Sequence, residues 1–348
     1  MVRHFIICFV FCALFILISY ISIFSFYPIL IPASWNGNIE FFSKINDEYK
    51  NLSISSKNNK DKNKIDIVIF GDAGTGSENQ YDVAASMWDF CQIKSCDFLL
   101  GLGDNFYPSG VSSINDKQWV DKFEVPYHDF IDENKANFWM VVGNHDRRGS
   151  VQAQIDYSKK SPIWRMPSSD YPIPNLPGWL KIYVLDTNFI IAQSYSKYFQ
   201  DKASNDFNNQ LARASEYLCQ ASGWKIIVTH HPMISNGKAE NLKREERLKS
   251  ALLPFLDECD IDVLISGHTH MQQHITLGDR DYIIQGAAGR VRKSHKPLAD
   301  DQALSKFLAH QLGFSYLSVT EKMMSVTFND ETGRELYNSV LATNKSTK

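Results

Sequence analysis

Five strand-length apolar runs in this chain each end on a residue able to bind a metal, and this repeated punctuation restricts the fold more than any other feature. Ile65-Asp66-Ile67-Val68-Ile69-Phe70 stops at Gly71-Asp72, and Asp97-Phe98-Leu99-Leu100-Gly101-Leu102 stops at Gly103-Asp104. Phe138–Val142 precedes Gly143-Asn144-His145-Asp146, Trp224–Thr229 precedes His230-His231-Pro232, and Ile261–Ile265 precedes Ser266-Gly267-His268-Thr269-His270. Between the first two runs, Ser77 offers an N-cap with Gln80 three residues on, and Val83, Ala84, Met87, Trp88 and Cys91 follow at helical spacing. Strand, helix and strand form a βαβ unit with carboxylates at the strand ends, where α/β layer folds place their ligands.

Taken singly, these motifs are ordinary. Asp72 fits a turn, Gly143 to Asp146 fits a polar loop, and His268 and His270 fit a sheet edge. All of them ending separate strands of one chain point instead to a shared cluster. Oxygen and nitrogen donors without a neighbouring cysteine suit Fe, Zn or Mn better than Ca or a thiolate site. A bridging ligand should be a carboxylate, since its two oxygens serve two cations, and Asp104 qualifies with Tyr107 one turn on. His268 and His270 flank one residue and can reach different metals of a pair about 3.5–4 Å apart.

Elsewhere, helices are expected over 205–221 and from Glu240 to Glu258, with Pro254 as a kink or new turn, and loop over Pro162 to Pro177. The β character of Tyr282-Ile283-Ile284, Phe314–Val319 and Met323–Phe328 suggests a second sheet completing a sandwich. A hydrophobic content of 44% over 348 residues supports one large core. The formal net charge of -3 gives no attraction to nucleic acid.

Asp72 in Gly71-Asp72-Ala73-Gly74, Asp104 and Tyr107 in Gly103-Asp104-Asn105-Phe106-Tyr107, Asn144-His145-Asp146, His230 and Gly267-His268-Thr269-His270 together resemble the five blocks of the purple acid phosphatases. The likeness is to the small, single-domain, tartrate-resistant branch and runs from about Ile65 to about Val340. It implies a four-layer α-β-β-α sandwich of the metallophosphoesterase type, with metal ligands on loops at strand ends. It also implies an acid phosphatase that opens phosphate monoesters by attack of hydroxide held on two metal ions. Fe(III) would take Asp72, Tyr107 and His270, and Fe(II), Zn or Mn would take Asn144, His230 and His268, with Asp104 as the bridge. His145 would contact phosphate or assist the leaving group, with Asp146 orienting it. His231 is open between substrate contact and orienting the Pro232 turn. Arg147 and Arg148 are open between substrate contact and solvation. One stretch departs from the family: Lys238 and Ala239 stand where small members carry an acidic residue and then histidine, which leaves the general acid unassigned. Alternatives are a phosphodiesterase or nucleotide pyrophosphohydrolase of the same superfamily, or a membrane-tethered, non-catalytic scaffold.

No Asp, Glu, Lys or Arg occurs from Phe5 through Ile39, and residues 5–31 are almost entirely apolar, long enough for the roughly 20 residues a membrane span needs. The expected organisation is an anchor or signal segment at 1–33, a polar tether at 34–64, the catalytic domain at 65–340 and a frayed tail at 341–348. A weak positive-inside bias at Arg3 would place the domain on the extracytoplasmic side, or free it by secretion if the segment is cleaved. Expected partners are small phosphorylated substrates or phosphoproteins and the membrane through residues 5–31, for a monomeric chain. Cys91, Cys96, Cys219 and Cys259 permit two disulfides in three possible pairings.

Overall fold

The computed structural model describes residues 36–52, 63–191, 197–238, 241–293 and 295–342. Two seven-stranded sheets carry the domain that begins at Phe42. In chain order the strands are β1 (Lys64–Phe70), β2 (Phe98–Gly101), β3 (Asn137–Met140), β4 (Trp164–Arg165), β5 (Tyr171–Pro172), β6 (Leu180–Val184), β7 (Trp224–Val228) and β8 (Val263–Ser266). Then follow β9 (Gln272–Leu277), β10 (Arg280–Gln285), β11 (Leu304–Ala309), β12 (Gly313–Thr320), β13 (Met323–Asp330) and β14 (Glu335–Ala342).

The first sheet has the order β14-β13-β12-β1-β2-β3-β4 and the second β11-β9-β10-β8-β7-β6-β5. Each has a parallel half, β1 to β4 in one and β10, β8, β7 and β6 in the other, extended by antiparallel strands. The parallel halves are the apolar runs of the sequence. Ile67, Val68, Ile69, Leu99, Leu100, Ile226, Ile227 and Val263 are fully buried, as strands covered on both faces must be. Each such side chain contributes roughly 1.5–3 kcal/mol of apolar burial.

Helices cover both outer faces, giving the expected four layers. Helix Glu78–Ile93 lies over the first sheet, burying Val83, Ala84, Met87 and Cys91, with the Phe90 ring edge-on to Phe314 at 5.3 Å. Its start differs in detail from the expected cap: Ser77 bonds Thr75 at 2.7 Å, while Gln80 accepts the Gly76 N–H at 2.8 Å. Helices Lys197–Leu218 and Leu242–Glu258 cover the second sheet, where Ala214, Leu218, Leu248, Leu252 and Phe255 share a core with Ile227, Leu264 and Ile284. Pro254 lies inside the latter helix without ending it.

Three expectations change. Strands β12 and β13 do not build the second sheet; β12 pairs antiparallel with β1, Ile67 facing Leu317, and extends the first. The stretch read as a tether contains helix Asn36–Tyr49, whose Ile45 and Tyr49 are spaced one turn apart and buried, with Tyr49 5.4 Å from the Trp139 ring. Membrane anchoring is the third. Residues 5–31 lie outside the described residues, and among those described no helix is long and apolar enough to cross a membrane. The longest, Lys197–Leu218, carries Asp206, Arg213 and Glu216 within its 22 residues. The transmembrane and signal-anchor reading, the membrane partner and the extracytoplasmic placement are accordingly withdrawn. The cysteines pair as Cys91–Cys96 and Cys219–Cys259.

Candidate metal centre

The carboxyl ends of β1, β2 and β3 and those of β7 and β8 supply one cluster of donors. Asp72 follows β1, Asp104 and Tyr107 follow β2, Asn144 follows β3, His230 follows β7, and His268 and His270 follow β8. The turns that present them are tight. Asp72, Asp104, His268 and His270 all have positive φ, between 52° and 69°. Non-glycine residues held there cost on the order of 1–3 kcal/mol each, a strain tolerated where surrounding structure over-determines the conformation. Glycine is required where the two sheets approach. A Cβ on Gly103 (φ 90°) would sit 2.7 Å from His230 Nδ1, and one on Gly143 would sit 2.0 Å from the Asp104 nitrogen.

The donors fall into two groups around Asp104. In the first, Asp72 Oδ1 accepts from the Tyr107 hydroxyl at 3.0 Å and lies 3.3 Å from His270 Nε2, itself 3.1 Å from the Tyr107 oxygen. Asp72 Oδ2 accepts the His268 backbone N–H at 2.7 Å. Burial would push the Asp72 carboxyl up, but its bond to His270 and the nearby His270, His230 and His268 hold it at about 2. Burial, reinforced by Asp72 and Asp104, pushes the Tyr107 phenol well above its ordinary range.

In the second group, His230 Nε2 lies 3.2 Å from Asn144 Oδ1, 3.2 Å from His268 Nδ1 and 3.5 Å from Asp104 Oδ1. His230 Nδ1 donates to the Leu102 carbonyl at 2.8 Å, which fixes the tautomer and turns the Nε2 lone pair inward. An amide oxygen, a carboxylate oxygen and imidazole lone pairs therefore converge with few protons among them. Burial opposes charging of His230, yet Asp104 and Asp72 outweigh it and raise its pKa. Burial, then neighbouring cationic charge, drives His268 and His231 well below the ordinary histidine range. Such an arrangement is satisfied by cations, and both groups, Asp72 with Asp104 and His270 and His230 with His231 and His268, have the donor spacing to hold one.

His145 stands at the rim. Its backbone N–H donates to Asp104 Oδ1 at 2.8 Å, its Nδ1 donates to the Pro108 carbonyl at 2.7 Å, and its Nε2 is 3.9 Å from Asp104 Oδ2. Asp146 does not orient that ring. Its carboxylate turns inward and accepts from Gly143 N at 2.7 Å, Asn105 N at 3.1 Å and Gln154 Nε2 at 3.2 Å, so it clamps the β2 and β3 loops together. Burial, with Asp104 adding to it, raises Asp146 to about 7. His231 is held by Thr187 Oγ1 at 2.9 Å from Nδ1, and its buried Nε2 has no hydrogen-bond partner among the described residues; its ring lies 4.5 Å from that of His268.

The divergent stretch after His230 is fixed from below. Ser235 Oγ donates to Glu245 Oε1 at 2.5 Å, and Lys296 Nζ donates to the Ser235 carbonyl at 2.8 Å and to Glu245 Oε2 at 3.0 Å. Gly237 donates to Ser235 Oγ at 3.0 Å, while Ala239 and Glu240 lie outside the described residues. Thr187, Lys296 and Glu245 carry no motif, as they act only through partners distant in the chain.

Residues 65–272 match the calcineurin-like phosphoesterase family. Over 271 residues the chain is 30% identical to tartrate-resistant acid phosphatase type 5 of Oryctolagus cuniculus, covering 72% of this chain and 80% of that one. It is 28% identical over 301 residues to purple acid phosphatase 7 of Arabidopsis thaliana, covering 81% and 88%. Among solved structures, it superposes on GAP50, described as the anchor in the inner membrane complex of Plasmodium, with a TM-score of 0.68 at 22% identity, covering 82% of this chain and 90% of that one. That last likeness concerns the fold.

Proposed function

The chain belongs to the calcineurin-like phosphoesterase family, and on that premise we propose that it is an acid phosphatase hydrolysing phosphate monoesters. The observation that carries the proposal is the convergence on Asp104 of donors from five loops and both sheets. Asp72, Tyr107 and His270 would hold one ion and Asn144, His230 and His268 the other, with Asp104 shared. Two ions held there would supply an acidified water and an electrophilic clamp for phosphate oxygens. Iron(III) with iron(II), zinc or manganese is the pair that a phenol, carboxylates and imidazoles suit.

The protein side of the chemistry falls to His145. Its Nδ1 proton is committed to the Pro108 carbonyl, so Nε2 is the atom free to hold or release a proton at the leaving oxygen. With Lys238 in place of an acidic residue, His145 is the group that takes the role of protonating the departing alcohol in this reading. The names of the related acid phosphatases and the presence of Tyr107 favour monoesters over diesters. Retention of every expected donor disfavours a purely non-catalytic scaffold.

The experiment is steady-state hydrolysis by the purified chain, reconstituted with iron and zinc, of phenyl phosphate and of diphenyl phosphate. Phenyl phosphate turned over at least tenfold faster, and lost on chelation, supports the reading. Preference for the diester replaces it with a phosphodiesterase, and no turnover of either with both ions bound overturns it.

A further inference from the structure

Arg147 and Arg148 are adjacent, but the fold sends their charges to different places. Arg147 pairs with fully buried Asp186 and lies over the Phe189 ring at 4.5 Å, so it is neutralised within the protein. Arg148 stays exposed beside the site, its Nη1 3.4 Å from His145 Nδ1 and 3.5 Å from the Pro108 carbonyl.

A second guanidinium arrives from a distant part of the chain. Arg290 is exposed, and its Cζ lies 4.0 Å from the centroid of the Tyr107 ring. That ring is in turn 4.4 Å from the His145 ring. The Tyr107 hydroxyl meets Asp72 and His270 while Arg290 sits over the ring face, so the phenol separates this cation from the metal donors. Arg148 thus lies beside His145, the residue proposed to protonate the leaving oxygen, and Arg290 lies against the Tyr107 ring on which His145 packs. Among the described residues, neither is paired with a carboxylate.

We propose that Arg148 and Arg290 form a second anion subsite on the leaving-group side, and that the preferred substrate is a small phosphate ester carrying a second phosphate. The proposal rests on the phosphatase reading of the same site. A guanidinium fits a phosphate dianion because it can present two parallel N–H donors to its oxygens. The scissile phosphate would be met by the residues that hold the ions and by His145, which leaves these arginines for a different group.

The test compares phenyl phosphate with benzene-1,3-diyl bisphosphate on the metal-loaded full chain, reading the ratio of their kcat/KM values. The bisphosphate is expected to be preferred by about tenfold, with Arg148→Ala and Arg290→Ala each lowering the ratio roughly threefold to fivefold and the double variant bringing it near one. Arg290→Lys should restore part of the ratio. A wild-type ratio near one, or a ratio unmoved by both substitutions, overturns the subsite and leaves the phosphatase reading intact. If neither ester is turned over, the phosphatase reading fails instead. Calorimetric binding of benzene-1,3-diyl bisphosphonate against phenylphosphonate then decides the subsite: selectivity lost in the double variant supports it, and equal binding in wild type and variant overturns it.

Discussion

The two halves of the donor cluster are built from different chemistry. Asp72, Tyr107 and His270 combine a carboxylate held at about 2, a phenol and one imidazole, all nearly excluded from solvent. Asn144, His230 and His268 combine an amide and two imidazoles, neutral donors that meet at 3.2 Å. Anionic oxygen donors favour the more highly charged ion and neutral nitrogen donors a borderline divalent one. The two halves therefore offer unlike donor sets on either side of one carboxylate.

The largest effect is expected where the halves meet. Asp104→Ala should lose both ions and lower turnover by roughly a thousandfold or more, measured by metal content and phenyl phosphate hydrolysis. Retention of two ions by that variant would break the idea of a shared ligand. Next come matched single-half variants. His270→Ala and His230→Ala should each weaken one ion by at least about 10–100-fold while the other persists, seen as one metal per chain at limiting metal. Loss of both ions from either variant would mean that the halves are one cooperative unit.

Opposed pH effects on the metal-free protein sharpen the contrast further. Asp72 titrates lower in the folded chain than in the unfolded one, so its contribution is present above about pH 4 and lost as pH falls toward 2, on the order of 2 kcal/mol. Asp146 titrates higher when folded, near 7, so stability it favours at low pH declines as pH rises from about 4 to about 7. Denaturant titrations from pH 2 to 8 should show a rise at the acid end and then a decline, and Asp146→Asn should flatten the second limb. The smallest effect belongs to Thr187→Val, which frees His231 on one half only. A change of about twofold to fivefold in KM, with both ions retained, would show that His231 acts on substrate.

Much of this site was legible in the sequence because ligands at strand ends leave a local mark, an apolar run followed by glycine and a donor. Asp72, Asp104, Asn144, His230, His268 and His270 follow strand ends in that way, Tyr107 completes the set only through the family resemblance, and the seven side chains lie near one another. Asp146 was legible as a member of its motif but not in its action: only the folded chain turns its carboxylate onto the Asn105 and Gly143 amides and away from His145. The C-terminal strands were readable as strands, but not as extensions of the first sheet, since period and propensity describe a strand's faces and not its neighbour. Helix Asn36–Tyr49 escaped because its apolar face, Phe42, Ile45 and Tyr49 at helical spacing, is set among the Asn, Ser, Lys and Asp residues of a polar stretch.

By itself the sequence determined the donor types, their order and the βα punctuation that puts each at a strand's carboxyl end, all of which depend on residues close in the chain. Tertiary structure alone decided that Arg147 is neutralised by Asp186 while Arg148 and Arg290 flank Tyr107 and His145. It also decided that Lys296 and Glu245 fix the loop where the family pattern departs. The physical reason is range: strand ends and turns are set by neighbouring residues, whereas the partner that neutralises or positions a charge comes from wherever packing brings the chain back.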